Sequence, residues 1–230
     1  MSGPILQLTD VAVSFERWGQ HVLAVDRLSL EIATGTWVAL VGHNGSGKST
    51  LLRIMSGTQP VDSGEALFTG KDVAQMRDSD RACRMFMVHQ NPLKGTAPLL
   101  TVAENLRVAV SGRYDADLAL LVLEQIGLAG RINQPVQLLS GGERQLLALA
   151  IARARAPELL LLDEPFSALD PIKEAQSLAL LDAMRIEGTT IIHITHQLER
   201  VERYASRVVS LDHGRLVEDR AASRVLEAQS

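Results

Sequence analysis

A glycine-rich run between Gly42 and Thr50 has the residue types and spacing of a phosphate-binding loop. It matches the pattern G-x-x-x-x-G-K-[ST]. Glycines let successive backbone N–H groups turn inward around phosphate oxygens. Lys48 can reach the β- and γ-phosphates of a nucleotide, and the Ser49 hydroxyl can bind Mg²⁺. The sequence therefore predicts a nucleotide site formed by Gly42, His43, Asn44, Gly45, Ser46, Gly47, Lys48, Ser49 and Thr50.

The segments on either side of this loop support the prediction. Residues 37–41 form a short apolar run typical of a buried strand, and residues 48–55 have the apolar spacing of a helix. A strand, a glycine-rich loop and a helix in this order are what a phosphate loop requires. The helix also directs the positive end of its dipole towards the phosphates. An ordinary glycine-rich turn would not need the lysine, the hydroxyl and both flanking elements together.

Two carboxylates follow another apolar run further along the chain. Residues 159–162 are four leucines, and Asp163 and Glu164 come directly after them. A buried strand that ends in aspartate supplies the acidic partner of the Mg²⁺ in phosphate-loop proteins. Glu164 is placed where a base could orient or deprotonate an attacking water. A structural ion pair is the alternative interpretation of these two residues.

Polar residues also follow two other apolar runs. Gln90 comes shortly after residues 85–88, and His196 comes directly after residues 190–195. In open parallel sheets, ligands bind outside the carboxyl ends of the strands. Each residue alone could equally be a turn or capping residue. Together with Glu164 they predict a shared site at one edge of a sheet.

The segment Leu-Ser-Gly-Gly-Glu-Arg-Gln at residues 139–145 precedes an apolar-periodic helix. Ser140 is a candidate N-cap, and Gly141 and Gly142 leave backbone N–H groups exposed at the helix start. A plain helix cap is the alternative. The segment resembles the signature motif of the ATP-binding cassette (ABC) ATPases.

The resemblance to ABC ATPases covers nearly the whole chain, and the motifs occur in the order of that family. The phosphate loop resembles its Walker A motif, residues 159–164 its Walker B motif, and Gln90 its Q-loop. Residues 167–170 resemble the D-loop, and Thr195 with His196 resembles the H-switch. The chain is thus identified as a member of this family, with ATP and Mg²⁺ as its expected substrate and cofactor.

The resemblance implies a role for each motif residue. Lys48 and Thr50 are expected to hold phosphates, Ser49, Gln90 and Asp163 to hold Mg²⁺ and the attacking water, Glu164 to be the catalytic base, and His196 to contact the γ-phosphate. Two copies are expected to enclose two ATP molecules head to tail. Ser140, Gly141 and Gly142 of one copy then face the γ-phosphate held by the other copy, and Asp170 communicates across the interface.

Two positions are less well defined by the resemblance. An aromatic residue normally stacks on the adenine, and both Phe15 and Trp18 are candidates, with Phe15 favoured. His43 stands where the family often has proline, and we expect its side chain to face solvent.

His193 is three residues from His196 in a predicted strand, where the two side chains point to opposite faces and cannot share a metal.

The composition limits the class of protein. The chain has 230 residues, 46% of them hydrophobic, and a formal net charge of −4. Nucleic-acid partners usually leave a basic footprint, so the acidic balance argues against them. The single cysteine, Cys83, fits a reducing compartment. Neither a signal peptide nor an apolar run of about 20 residues is visible. We expect a cytoplasmic protein that docks on the inner face of the cell membrane.

The pattern of strands and helices that must position these motifs predicts an α/β fold. The expected fold is a P-loop NTPase of residues 1–230, with a mainly parallel sheet core and an N-terminal antiparallel β layer. Residues 5–15 and 28–32 are the predicted strands of that layer. A Leu- and Ala-rich stretch predicts a helical subdomain over residues 91–155, inserted into the α/β body.

The function predicted from the resemblance is that of an ATPase subunit of a bacterial importer. Its expected partners are transmembrane permease subunits, a second copy of the chain and an extracytoplasmic substrate-binding protein. A soluble ABC ATPase of DNA repair or translation is the alternative, but such proteins carry two cassettes in one chain or long coiled-coil insertions. The sequence does not indicate which substrate is transported.

Overall fold

The computed structural model describes residues 3–17, 19–91, 93–110 and 115–222. The strands of these residues are β1 (Leu6–Arg17), β2 (Gln20–Ile32), β3 (Trp37–Val41), β4 (Ser63–Phe68), β5 (Lys71–Asp72), β6 (Met85–Val88), β7 (Leu159–Asp163), β8 (Thr190–Ile194), β9 (Arg207–Asp212) and β10 (Arg215–Ala221). The helices are α1 (Lys48–Met55), α2 (Asp78–Arg84), α3 (Val102–Ala109), α4 (Ala116–Gln125), α5 (Gly141–Arg155), α6 (Pro171–Ile186) and α7 (Leu198–Val201). The chain divides into two compact units.

The first unit comprises Met1–Ala82 and Thr190–Ser230, and it contains the predicted antiparallel layer. Four strands form this layer in the order β2-β1-β4-β5, and each neighbouring pair is antiparallel. β2 begins at Gln20, well before the predicted start at residue 28. The first part of β2 is mostly exposed, so no alternation of apolar and polar residues signals it.

The same unit contains a second group of strands, which leads to the phosphate loop. β3 pairs in parallel with β8 on one side and with β9 on the other, and β10 is antiparallel to β9. β3 is buried from Trp37 to Leu40, as expected for a parallel strand covered on both faces. Trp37 stacks on Tyr204 with ring centroids 5.7 Å apart, and it also lies 6.1 Å from the ring of His193. The carboxyl ends of β3 and β8 therefore lie side by side.

The second unit comprises Cys83–Thr189 and combines a strand pair with most of the helices. β6 and β7 are parallel, with Val88 opposite Leu162. Helix α5 is buried over most of its length, which lets α3 and α4 pack against it. Short 3₁₀ turns at Ala129–Arg131 and Val136–Leu138 lead into α5. The guanidinium of Arg155 at the end of α5 lies 5.0 Å from the ring centroid of Phe86.

One helix, α2, is not among the elements predicted from the sequence. Helix α2 has no buried residue, so it carries none of the apolar periodicity by which a helix is predicted. Arg81 in this helix instead donates to the carbonyl oxygens of Gly57 and Val73, at 2.8 Å and 3.2 Å. Within the described ranges, no helix combines the length and the apolar character needed to cross a bilayer.

Candidate nucleotide site

The phosphate loop ends at the N-terminus of α1, which is left open for an anion. The N-cap is Gly47, so no side chain caps the first backbone N–H groups, and the first turn contains no acidic residue. Four N–H groups at the start of any helix lack intrahelical partners, and the helix dipole is positive there. The start of α1 therefore offers donors and a positive potential to a phosphate.

Two glycines of the loop are required by their surroundings. Gly47 has φ 101°, and a Cβ atom there would lie 2.3 Å from the carbonyl oxygen of Ala24 in β2. Gly42 has φ 149°, and its Cβ atom would lie 2.3 Å from the carbonyl oxygen of Leu211 in β9. Any larger residue would push the loop away from these strands. The backbone of the loop is thus fixed by the sheet around it.

Lys48 is almost completely buried, and the loop itself holds its ammonium group. The Nζ atom donates to the carbonyl oxygens of Gly42 and His43, at 2.8 Å each. The buried hydroxyl of Ser46 has no hydrogen-bond partner among the described residues. Buried polar atoms rarely stay unsatisfied, so this hydroxyl marks a place where a ligand oxygen can bind. The loop therefore fits a phosphate group.

His196 follows β8 and is exposed, directly beside the strand that feeds the phosphate loop. The N–H of Thr195 donates to the carbonyl oxygen of Leu40 at 3.3 Å, so the chain leaves both strands at the same edge. His193 is buried in β8, and burial lowers its pKa to about 3. Phe15 is half-buried near the end of β1, while Trp18 lies outside the described residues.

His43 is exposed as predicted, but its ring is engaged on both nitrogens. Its Nε2 atom lies 2.6 Å from Oδ1 of Asp212, and its Nδ1 atom lies 2.7 Å from the carbonyl oxygen of Asn44. The Asn44 carbonyl and the Asp212 carboxylate raise the pKa of His43 above its ordinary value. Asp212 is 169 positions away along the chain, so the sequence gives no sign of this contact.

In the second unit, Gln90 and Glu164 meet at the carboxyl ends of β6 and β7. The Gln90 side-chain amide donates to Oε2 of Glu164 at 3.4 Å. Asp163 and Glu164 are both partly buried at the end of β7. Glu164 has φ 49°, a left-handed conformation that is uncommon for a residue other than glycine. Such outliers occur often at functional sites. Gln90, Glu164 and His196 are the predicted strand-end residues, and of these Gln90 and Glu164 are in contact.

The signature segment begins α5 with a complete capping box, which confirms Ser140 as the N-cap. The Ser140 hydroxyl accepts from the Glu143 N–H at 3.2 Å, and Oε2 of Glu143 accepts from the Ser140 N–H at 2.8 Å. The Ser140 N–H is the main cause that lowers the pKa of Glu143. Ser140 and Gly141 are exposed, and a Cβ atom at Gly142 would lie 2.9 Å from the Ala168 carbonyl oxygen.

Two further side chains, those of Asp170 and Gln145, make structural hydrogen bonds in the second unit that were not predicted from the sequence. Asp170 caps α6, because its Oδ1 accepts from the N–H groups of Ile172 and Lys173 at 3.0 Å and 2.9 Å. Gln145, which is buried in α5, donates to the carbonyl oxygen of His89 at 3.3 Å. Gln145 thereby links the signature helix to the residue before Gln90. The Asp-Pro sequence at Asp170 could have indicated the cap, whereas no local pattern indicates the Gln145 contact.

The open helix N-terminus, the buried lysine and the glycine-fixed loop define a P-loop nucleotide-binding protein. Comparisons with known proteins give the family. The sequence profile described as ABC transporter matches residues 25–167. The chain belongs to the ABC transporter family and is an ATP-binding cassette of the P-loop ATPase class. The predicted α/β fold is confirmed, and the comparisons do not favour the DNA-repair or translation alternative.

Individual relatives agree with this assignment. The chain is 38% identical over 227 residues to the methionine import ATP-binding protein MetN of Rhizobium johnstonii, covering 95% of this chain and 61% of the relative. It is 37% identical over 218 residues to the glutamine transport ATP-binding protein GlnQ of Escherichia coli (strain K12), covering 90% of each. A solved dimeric ATP-binding cassette bound to ADP and Pi is 26% identical, with a TM-score of 0.84, and the match covers 95% of this chain and 99% of that one.

Proposed function

We propose that the chain is the ATP-hydrolysing subunit of an ABC importer, which couples ATP-driven closure of a homodimer to transport through a separate permease. The observation that carries this proposal is the contact between Gln90 and Glu164 at the ends of two parallel strands. A carboxylate there has the position and chemistry of a general base for hydrolysis. The transport names of the relatives support the import direction.

Nucleotide binding is assigned to the first unit. Lys48 would exchange its two loop carbonyls for the β- and γ-phosphates, and the N–H groups at the start of α1 would donate to phosphate oxygens. Thr50 would contact the phosphates and His196 the γ-phosphate. Phe15, half-buried and on β1, would stack on the adenine. The predicted binding set is Gly42, His43, Asn44, Gly45, Ser46, Gly47, Lys48, Ser49 and Thr50.

The chemistry is assigned mainly to the second unit. Glu164 would accept the proton of the attacking water, and the Gln90 amide would orient that carboxylate and the water. Ser49, Gln90 and Asp163 would hold Mg²⁺, because hydroxyl, amide and carboxylate oxygens are the hard ligands it prefers. The ion would supply positive charge that neutralises the phosphates. Residues 1–230 would act as one ABC ATPase domain, in which residues 91–155 form the helical subdomain.

A second copy of the chain would complete each site. Ser140 and Gly141 are exposed at the start of α5, where backbone N–H groups can donate to a γ-phosphate held by the partner copy. Gly142 would do the same, and Asp170 would join the interface. The likeness to a cassette solved as a dimer with ADP and Pi supports this arrangement.

A mixing experiment tests the two-copy site. Lys48→Ala removes the phosphate grip of its own copy, and Ser140→Arg blocks the surface offered to the other copy. Each variant alone should be nearly inactive. Mixed heterodimers place both changes on one composite site and leave the other intact, so ATP hydrolysis should partly return. If Ser140→Arg weakens ATP binding to isolated monomers as much as Lys48→Ala does, Ser140 acts within its own copy and the proposal fails.

The remaining partners are a transmembrane permease and an extracytoplasmic substrate-binding protein, with the chain peripheral on the cytoplasmic face of the membrane. Leu93 and Leu99 follow Gln90 and are 46% and 79% exposed. Exposed leucines on a helical unit suit a helix-in-groove contact with a permease. No nucleic acid is expected as a partner.

Membrane fractionation tests the permease contact. The chain should sediment with membranes only when its permease is co-expressed. Leu93→Asp and Leu99→Asp should uncouple transport while ATP hydrolysis by the isolated chain is largely retained. Ile186→Asp is a matched control, because Ile186 is also exposed, at 70%, but lies at the end of α6. Co-purification with ribosomes or DNA, and no membrane association, would contradict the proposal.

A further inference from the structure

Three side chains form a compact group beside the phosphate loop, and the proposed hydrolysis does not use them. They are His43, Asp212 and His213, and one ligand atom from each lies within 4.8 Å of the other two. Oδ1 of Asp212 lies 2.6 Å from Nε2 of His43 and 2.8 Å from Nδ1 of His213. Two imidazoles and a carboxylate are ligands that zinc-like ions bind in proteins.

The backbone holds this group in place on both sides. Asp212 ends β9 and pairs with Arg215 of β10, so His213 and Gly214 form a two-residue hairpin turn. The Gly214 N–H donates to the carbonyl oxygen of Ser46 at 3.0 Å, which fastens the turn to the phosphate loop. β9 is also paired with β3, the strand that leads into the loop. The three side chains therefore stand on two backbone segments that are hydrogen-bonded to each other.

The contacts of His43 call for a second positive group on its ring, either a proton or a metal ion. A neutral imidazole carries one N–H, yet both ring nitrogens of His43 face oxygen acceptors, the Asn44 carbonyl and the Asp212 carboxylate. One of these contacts thus needs an additional proton or a metal ion. Metal-bound histidines usually donate their other N–H to a carbonyl or carboxylate. The contact of Nδ1 with Asn44 fits that pattern and leaves Nε2 for a metal.

We propose that His43, Asp212 and His213 bind one divalent transition-metal ion of the zinc class, which ties the phosphate loop to the β9–β10 turn. Metal–ligand distances of about 2.0–2.2 Å place tetrahedral ligand atoms about 3.4 Å apart. To reach that spacing, the 2.6 Å contact of His43 with Asp212 needs to open by about 0.8 Å, and the 2.8 Å contact of His213 with Asp212 by about 0.6 Å. A water molecule would be the fourth ligand of the metal ion. This site is separate from the proposed Mg²⁺ site and does not depend on ATP hydrolysis.

Titration of the isolated chain with ZnCl₂, without nucleotide or Mg²⁺, tests the proposal. The wild type should bind one Zn²⁺ tightly per chain, measured by isothermal titration calorimetry. His43→Gln, Asp212→Asn and His213→Asn should each weaken this binding at least about tenfold, because changes of even the outer contacts of a metal site commonly cost 10–100-fold. His213→Asn should disturb the fold least of the three variants, because asparagine tolerates the left-handed backbone of this residue, φ 46°.

His21→Gln is the matched control. His21 is an exposed histidine of the same unit that lies 3.5 Å from Glu16, and its loss should leave the zinc affinity unchanged. Thermal melting in the presence of a chelator shows whether each variant is folded. The proposal is overturned if the wild type takes up no zinc, or if folded His213→Asn and Asp212→Asn bind zinc as tightly as the wild type. In the latter case other surface groups bind the metal.

Discussion

At the phosphate loop, two backbone carbonyls accept from Lys48 at 2.8 Å each, whereas at the end of β7 a longer side-chain contact of 3.4 Å joins Glu164 to Gln90. The loop is fixed by strands that approach Gly42 and Gly47 closely. Gln90 is exposed, and Glu164 is held in a left-handed backbone conformation. The phosphate loop is thus fixed by close backbone contacts before ATP arrives, whereas the contact between Gln90 and Glu164 is long for a hydrogen bond.

This difference indicates that the two regions respond differently to substitution. A preorganised loop depends on backbone geometry, so changes that alter its shape remove binding. The hydrolytic pair depends on the chemistry of its side chains, so conservative changes there remove turnover and leave binding. The signature segment is intermediate, because Ser140 serves both as a helix cap and, in our proposal, as a contact to the partner's nucleotide.

The largest effect is expected at Gly47. Gly47→Ala places a Cβ atom 2.3 Å from the Ala24 carbonyl oxygen, so the loop must move and ATP binding should be lost. Gly35→Ala is the matched control, because Gly35 also has a positive φ, 71°, but its Cβ atom would meet nothing within 4 Å and it lies outside the predicted binding set. Both variants bear a backbone strain of about 1–3 kcal/mol. Equal ATP affinities of the two variants, measured with a fluorescent nucleotide, would show that the close approach of β2 does not shape the loop.

A smaller effect is expected at the signature helix. Ser140→Ala removes the capping bond to Glu143 and should lower the free energy of unfolding by about 1 kcal/mol. Thr101→Ala removes the equivalent bond from the capping box of α3 and should cost a similar amount. Only Ser140→Ala should also reduce ATP hydrolysis, because only this cap is proposed to face a nucleotide. Equal activities in the two variants would leave Ser140 with a capping role alone.

The smallest effect is a pH dependence of stability from His43. Its pKa is raised in the folded chain, chiefly by the Asn44 carbonyl and then by Asp212. The protonated ring therefore stabilises the fold fully below its ordinary pKa of 6.5, and this contribution is lost as the pH rises through the raised value. In chelator, the melting temperatures of the wild type and His43→Gln should converge between about pH 6 and pH 8. A constant difference across this range would rule out the protonated pair.

Much of the fold near the motifs could be predicted, because local patterns specify it. The apolar run before the loop gave β3, and the helical spacing after Lys48 gave α1 with its observed bounds. The run at residues 85–88 likewise matches β6. The residue type of Ser140 predicts an N-cap, because a serine hydroxyl directly before a helix can accept from its first backbone N–H groups.

The parts that escaped prediction lack a local pattern. The exposed first half of β2 is held by pairing with β1, for example Phe15 with Val22, and pairing between strands leaves no periodicity in an exposed segment. The Asp212 contact with His43 joins residues far apart in the chain, and the Gln145 contact with His89 is a single buried hydrogen bond. Such contacts depend on how the chain folds back on itself, which a residue pattern does not encode.

The most direct test of the central claim is to measure ATP affinity and ATP turnover on the same preparation of Glu164→Gln. Loss of a general base typically lowers the rate by about 10²–10⁴-fold. We predict that the variant keeps the ATP affinity of the wild type, loses turnover by this factor, and accumulates as an ATP-bound dimer on gel filtration. Glu124→Gln, which neutralises an exposed carboxylate of α4, should match the wild type in both measurements. Near-normal turnover of Glu164→Gln would contradict the assignment of Glu164 as the base.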